Sequence, residues 1–296
     1  MIKMHTPPLK KPSWLKVKLN TTDNYKDMKG LMEKHTLNTV CEEARCPNIY
    51  ECWENRTATV MILGDVCTRS CGFCSIKTGK PLKQDLNEPQ RVSDFVKKLK
   101  LRHVVITSVD RDDLKDDYGA QIWSETIKKV HLQNPDCTVE VLTPDFRGYK
   151  PSLDIVFNSK PEIFSHNVEC VERISKKVRA QSNWDRSLDV LKYSVNQGML
   201  TKTGIMVGLG ETDKEVYETM DLLKDVGVKI FNIGQYLQPT INHLKVERYV
   251  EPSTFKAFKE YGLSIGFNVV ESGPLVRSSY HADEQARKYK TTDNIA

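Results

Sequence analysis

The chain has 296 residues, 39% hydrophobic and 28% charged, with a formal charge of +5; such a composition supports a packed core and excludes long disorder and a nucleic-acid type of charge. No apolar run approaches the roughly 18–20 residues of a membrane span, and the first residues carry lysines and prolines where a signal peptide would carry its apolar core. A cytoplasmic protein is expected, and in that reducing setting eight cysteines point to metal or redox chemistry rather than to disulfides.

The first 18 residues are locally basic through Lys3, Lys10, Lys11, Lys16 and Lys18, which reads either as a solvated tail or as an arm for an acidic partner. Next come Cys41, Cys46 and Cys52, spaced C-x4-C-x5-C, and then Cys67, Cys71 and Cys74, spaced C-x3-C-x2-C, so six of the eight cysteines fall between residues 41 and 74. Two clusters are implied. Three thiolates leave one corner of a cubane iron–sulfur cluster without a cysteine, and that iron can bind something else. Structural zinc is the alternative for the segment CTRSCGFC, but it calls for a fourth ligand, and no second knuckle or His pair stands nearby. In that loop Gly72 allows a tight wrap and Phe73 supplies an apolar wall beside the last cysteine.

From residue 58 onward, β-branched runs alternate with amphipathic segments in six βα units. Strands are predicted at 59–63, 103–108, 138–142, 163–166, 203–207 and 229–233, nearly continuous in apolar content, as parallel strands buried on both faces are. Trp184, Leu188, Leu191 and Val195 mark one face of a helix stopped by Gly198. Thr212 and Glu215 form a capping box for a second, which carries Val216, Met220 and Leu223 and ends near Gly227.

The expected fold class is α/β: a partial (β/α)6 TIM-type barrel over 58–266, an N-terminal extension over 1–57 with the first triplet, and a C-terminal extension over 267–296. An open doubly wound sheet is the alternative, weakened by the lack of G-x-G-x-x-G after the first strand. The second triplet follows that strand and so belongs on the first βα loop, at the active-site face of a barrel. Cys137 and Cys170 stand alone and read as small buried hydrophobes. His5, His35, His103, His131, His166, His243 and His281 are scattered, and none is assigned a catalytic role.

The C-x3-C-x2-C run with an aromatic before its last cysteine resembles the signature of the radical S-adenosylmethionine superfamily. CEEARCPNIYECW, followed 14 residues later by the radical loop, and the closing run GPLVRSSYHA together resemble the lipoyl synthase family. KPSWLK, VDRDDLKDDYGA, SHNVECV, VGLGET and IGQYLQP extend the likeness over about residues 11–285.

The resemblance implies two [4Fe-4S] clusters and S-adenosylmethionine as cofactors. One cluster, on Cys67, Cys71 and Cys74, would chelate S-adenosylmethionine at its open iron and cleave it to a 5'-deoxyadenosyl radical. The other, auxiliary cluster, on Cys41, Cys46 and Cys52 with Ser279 as fourth ligand, would donate sulfur. The implied reaction inserts sulfur at C6 and C8 of a protein-bound octanoyl-lysine, where neither carbon is acidic and a general base cannot help. Asn167, Arg179 and Gln235, at or beyond strand ends, are expected at the barrel mouth as cofactor contacts. DRDDLKDD and GLGET either contribute there or form a solvated turn and a capped helix start.

The implied partners are octanoylated lipoyl-domain proteins (2-oxoacid dehydrogenase E2 subunits and the glycine cleavage H protein), a low-potential electron donor such as flavodoxin or ferredoxin, and a cluster-reassembly carrier. No nucleic acid or membrane is expected. Another sulfur-inserting or methylthio-transferring radical enzyme, a two-cluster electron carrier and a zinc-stabilised binding module are the alternatives; RSSY and the βα scaffold speak against them.

Overall fold

The structure, a computed structural model, describes residues 9–16, 22–35, 37–43, 46–54, 59–280 and 282–293. Lys3, His5, Lys18 and His281, and the expected boundary at 57/58, lie outside the described residues.

In chain order the strands are β1 (Asn38–Thr39), β2 (Thr59–Ile62), β3 (Val66–Cys67), β4 (Lys77–Thr78), β5 (His103–Ser108), β6 (Thr138–Leu142), β7 (Ile163–Ser165), β8 (Thr201–Val207), β9 (Ile230–Gln235) and β10 (Val269–Gly273). The helices are α1 (Asp23–His35), α2 (Val40–Glu43), α3 (Ile49–Glu54), α4 (Glu88–Leu99), α5 (Ala120–Gln133), α6 (Lys150–Phe157), α7 (Glu172–Val178), α8 (Trp184–Asn196), α9 (Asp213–Val226), α10 (Pro252–Ser264) and α11 (Ala282–Asp293).

Eight strands form one sheet in the order β1-β2-β5-β6-β7-β8-β9-β10. β1 is antiparallel to β2, and every other neighbouring pair is parallel. The strands follow sequence order with helical crossovers, which curls the sheet into a partial barrel. It is not closed: no pairing joins β10 to β1 among the described residues. All predicted strands form, with small shifts at their ends. The sheet also runs on past residue 266, since β10 lies inside the expected C-terminal extension and pairs with β9 from Val269↔Ile230 to Gly273↔Gly234. That strand ends in Glu271, Ser272 and Gly273, so it lacks the apolar run that marks the others.

The capping box at Thr212 and Glu215 forms as predicted, and Gly227 ends α9 at φ 100°. In α8 the buried face is turned from the predicted one: Trp184, Ser187, Val190, Leu191 and Ser194 face inward, while Leu188 and Val195 are half-buried. Small serines let the helix approach the sheet and hydrogen-bond there, as Ser194 does with Thr201 at 2.7 Å.

Beyond Gly273 the chain turns back and descends inside the sheet. A Cβ at Gly234 would collide with the Val276 carbonyl, so only glycine allows this approach. Asn232 Nδ2 donates to the carbonyls of Arg277 (3.3 Å) and Ser278 (3.0 Å). Below, α11 closes the barrel floor, with Ala286 and Tyr289 packed on Ile163, Ile230 and Val269, near the starts of β7, β9 and β10.

Candidate functional site

The second cysteine triplet sits where the first βα loop leaves β2, and the loop is clamped on several sides. Thr68 N–H donates to Asp110 O (3.0 Å), Gly72 N–H to Val178 O (3.0 Å) and Gly79 N–H to Cys67 O (3.0 Å). At Gly72 a Cβ would lie 2.9 Å from Leu244 Cγ, so any larger residue would make that leucine shift. Phe73 packs into the core beside the loop. Arg69, almost wholly buried, forks onto Asp112 through Nε and Nη2, both at 2.8 Å, and reaches Asp145 at 2.7 Å and Asp110 at 3.1 Å. Asp145 also takes Arg186 Nε at 2.7 Å. Burial would raise the Asp145 carboxyl, but the two arginines hold it well below the usual range. Asp110 differs: burial pushes it up to about 6 against the pull of Arg69, and Cys67 Sγ lies 3.9 Å away.

The DRDDLKDD segment therefore holds the loop rather than forming a solvated turn. Asp110 and Asp112 take Arg69, and Arg111 pairs with Asp113 at 2.9 Å and donates to Leu63 O and Leu82 O. GLGET is likewise structural: Glu211 accepts from the N–H groups of Gly208 (2.7 Å) and Leu209 (2.9 Å) ahead of α9.

The first triplet is built on the short helices α2 and α3. Cys46 N–H donates to Cys41 O (3.0 Å) and Cys52 N–H to Asn48 O (2.9 Å). Behind them Trp53 is buried and Tyr25 stacks on Tyr50 at 5.1 Å. The returning C-terminal segment completes this region. Asn48 Nδ2 donates to Leu275 O (2.7 Å), and Thr59 Oγ1 to Ser279 Oγ (2.6 Å). Cys41, Cys46, Cys52 and Ser279 thus border one small hollow. Ser278 is aimed elsewhere, its Oγ accepting from Asn167 Nδ2 at 2.6 Å. Ser75 Oγ joins the two loops by donating to Glu43 O at 2.6 Å.

Both triplets open on one cavity of about 650 Å3, to which Cys41 and Cys46 contribute from one side and Cys67, Cys71 and Cys74 from another. All eight cysteines are free. Burial, with neighbouring thiols adding at Cys41, Cys52 and Cys74 and the Asp110 charge adding at Cys67 and Cys71, pushes Cys41 and Cys71 up to about 12 and Cys74 up to about 11, and also raises Cys46, Cys52 and Cys67. Such thiols ionise only against a strong local positive charge, which iron supplies. No three His, Cys, Asp or Glu side chains converge on a single ion among the described residues; a cubane cluster takes each thiolate on a different iron, so its ligands stand apart. The donor sets therefore fit clusters.

Asn167 and Arg179 line this cavity, and Asn167 Oδ1, Asn232 Oδ1 and Arg179 Nε are buried without a hydrogen-bond partner among the described residues. Unsatisfied groups of this kind suit a polar ligand. Gln235 also lines the cavity, but its amide is a brace: Nε2 donates to the carbonyls of Val207, Tyr236 and Arg248, each at 3.1 Å, and Oε1 accepts from Val250 N–H at 2.8 Å. Both ends of this amide are thus engaged by backbone. Cys137 and Cys170 are buried and line neither the cavity nor the small hollow. Sequence reading missed Arg69, Asp145 and His166. Arg69 was visible inside the cysteine loop, but its partner lies 76 residues away.

Comparison with known proteins agrees with this architecture. Residues 61–223 match the radical SAM superfamily. Among solved structures, methylornithine synthase (PylB) superposes with TM-score 0.54 at 12% identity, over 93% of this chain and 94% of that one. SuiB of Streptococcus suis bound to S-adenosylmethionine gives 0.58 at 14% identity, over 86% and 63%. The fold and the cysteine loop are those of radical SAM proteins. Residues 2–46 match the N-terminal domain of lipoyl synthase of the radical SAM family. Lipoyl synthase of Rubrobacter xylanophilus is 54% identical over 93% of this chain and 86% of the relative. That of Flavobacterium johnsoniae is 51% identical over 94% and 96%, and the mitochondrial lipoyl synthase of Nematostella vectensis 50% over 93% and 94%. The chain belongs to the lipoyl synthase family.

Proposed function

We propose that this protein is a sulfur-inserting enzyme that converts a protein-bound octanoyl-lysine to lipoyl-lysine, by placing sulfur at C6 and C8. One observation carries this reading beyond the family match: Cys41 and Cys46 of the first triplet and all of the second border a single cavity. An acceptor carbon seated there would be within reach of both.

When bound, the two [4Fe-4S] clusters and S-adenosylmethionine would supply the radical that removes an unactivated hydrogen and the sulfur that replaces it. Cys67, Cys71 and Cys74 would hold one cluster, and Cys41, Cys46 and Cys52 the other. Ser279 borders the second hollow, and its Oγ is held by Thr59. A hard oxygen ligand among soft sulfurs binds iron weakly, so Ser279 suits a corner that must be released; unchanged transfer of both sulfurs by Ser279→Ala would contradict that role. Asn167 and Arg179 supply polar contacts for S-adenosylmethionine, and Met61, Ile205 and Val276 give the cavity an apolar side for the alkyl chain.

The substrate class is a lipoyl-domain protein, with 2-oxoacid dehydrogenase E2 subunits and the glycine cleavage H protein as the carriers we favour. Lys10, Lys11 and Lys16 are exposed, and Lys11 reaches the cavity rim, so the basic arm suits docking of an acidic carrier. Flavodoxin or ferredoxin would supply electrons, and a reassembly carrier would restore the spent cluster. No helix among the described residues is long and apolar enough to cross a membrane, and the free cysteines suit a reducing compartment such as the cytoplasm.

The test is a single turnover of anaerobically reconstituted protein with S-adenosylmethionine, reductant and an octanoyl-lysyl peptide. Two sulfurs gained by the peptide are expected; 5'-deoxyadenosine without peptide sulfur would retain the radical chemistry and reject the substrate.

A further inference from the structure

His166 has both ring nitrogens committed inside the cavity wall. Its Nδ1 lies 2.9 Å from the Thr143 carbonyl, which only accepts, so Nδ1 carries the proton. Nε2, 3.0 Å from Ser187 Oγ, therefore accepts from that hydroxyl. Ser187 Oγ in turn accepts from Arg179 Nη2 at 2.8 Å. Proton donation runs one way, from Arg179 to Ser187 to His166 to Thr143. The other arm of the guanidinium, Nη1, donates to Asn167 O at 2.8 Å, and Nε is left without a partner among the described residues.

His166 is 5% exposed, Ser187 0% and Arg179 4%, so water does not compete for these bonds. The chain also needs His166 to be neutral. An imidazolium would have no lone pair for Ser187 and would add a second positive charge beside Arg179. Burial and the Arg179 charge push the ring down to about 4, which keeps it neutral in the working range.

We propose that His166 and Ser187 are positioning residues that hold the Arg179 guanidinium in one orientation at the wall of the cavity proposed for S-adenosylmethionine. The inference rests on the proposed S-adenosylmethionine site. Ser187 does not line the cavity and His166 has both ring nitrogens engaged, so both act through Arg179. Fixing a long, rotamer-rich side chain in advance removes an ordering cost from binding, and both terminal nitrogens of this arginine are already anchored.

The test measures S-adenosylmethionine binding by calorimetry on oxidised, cluster-loaded protein, together with iron content, thermal unfolding and the KM for S-adenosylmethionine under turnover. Ser187→Ala should weaken binding about tenfold and raise KM more than it lowers kcat, with iron content as in wild type. His166→Asn keeps a donor for Thr143 but loses the link to Ser187 and should behave alike, which covers the case in which Ser187→Ala fails to fold. In an Arg179→Lys background, Ser187→Ala should add less than about a twofold further loss. Wild-type affinity in Ser187→Ala and His166→Asn, or a full additional loss in the Arg179→Lys background, would overturn the proposal. Failure of wild-type protein to bind S-adenosylmethionine would instead reject the underlying site.

Discussion

Around Cys67, Cys71 and Cys74 the barrel clamps a single loop through Arg69, three carboxylates and backbone bonds to the ends of neighbouring elements. Around Cys41, Cys46 and Cys52 the chain instead brings together two short helices and a returning segment more than two hundred residues away, joined by Asn48 to Leu275 and Thr59 to Ser279. The first arrangement suits a cluster that must survive turnover. The second brings Ser279, the ligand proposed for release, to the hollow bordered by Cys41, Cys46 and Cys52.

Removing one ligand from each region should give the largest contrast. Cys71→Ala should abolish 5'-deoxyadenosine formation, whereas Cys52→Ala should still cleave S-adenosylmethionine yet add no sulfur to the peptide. Nucleoside and peptide mass, followed together, check this; equal loss of both products in the two variants would erase the distinction.

The clamp itself can then be broken. Arg69→Met leaves buried Asp145 and its neighbours facing one another without their central cation, and should cost about 3–5 kcal/mol in urea unfolding. The matching cut at the other site, Thr59→Val, removes one hydroxyl bond and should cost about 1 kcal/mol. Similar losses would mean that the two regions are held alike.

A third contrast is in pH. His166 beside the radical loop has its pKa pushed down to about 4 by burial and Arg179, from an ordinary 6.5. As pH falls the unfolded chain takes up this proton first, so stability present above pH 6.5 is lost towards pH 4, by at most roughly 3 kcal/mol. Urea midpoints of the cluster-free chain across that range should show the decline, and His166→Gln should flatten it; an unchanged slope would remove His166 as its source.

The smallest effect belongs to the basic arm. Charge reversal at Lys10, Lys11 and Lys16 should slow turnover with an intact carrier protein by several-fold at low salt and leave a short peptide substrate unaffected. No difference between carrier and peptide would return the arm to a solvated tail.

The parts legible in the sequence were those written in local pattern. Buried parallel strands such as β5 and β6 show as apolar runs, the capping box of α9 as Thr212 with Glu215, and the two triplets as cysteine spacing. What stayed hidden depends on contacts across the fold. β10 ends in Glu271, Ser272 and Gly273 and so does not stand out as an apolar run, and the descent of the RSSY segment becomes visible only when Gly234 and Asn232 are seen to receive it. The bracing of Gln235 and the link from Arg179 through Ser187 to His166 likewise join residues with no shared local motif. A strand-end glutamine and a scattered histidine carry the same sequence signal whether they meet a ligand, a backbone or another side chain.

The most direct measurement labels the sulfur. Protein reconstituted with 34S-sulfide, freed of excess label and run for one turnover in unlabelled buffer sulfide should yield a peptide carrying two heavy sulfur atoms, with Cys52→Ala yielding none. A wild-type product containing light sulfur would contradict the assignment of the Cys41, Cys46 and Cys52 site as the donor.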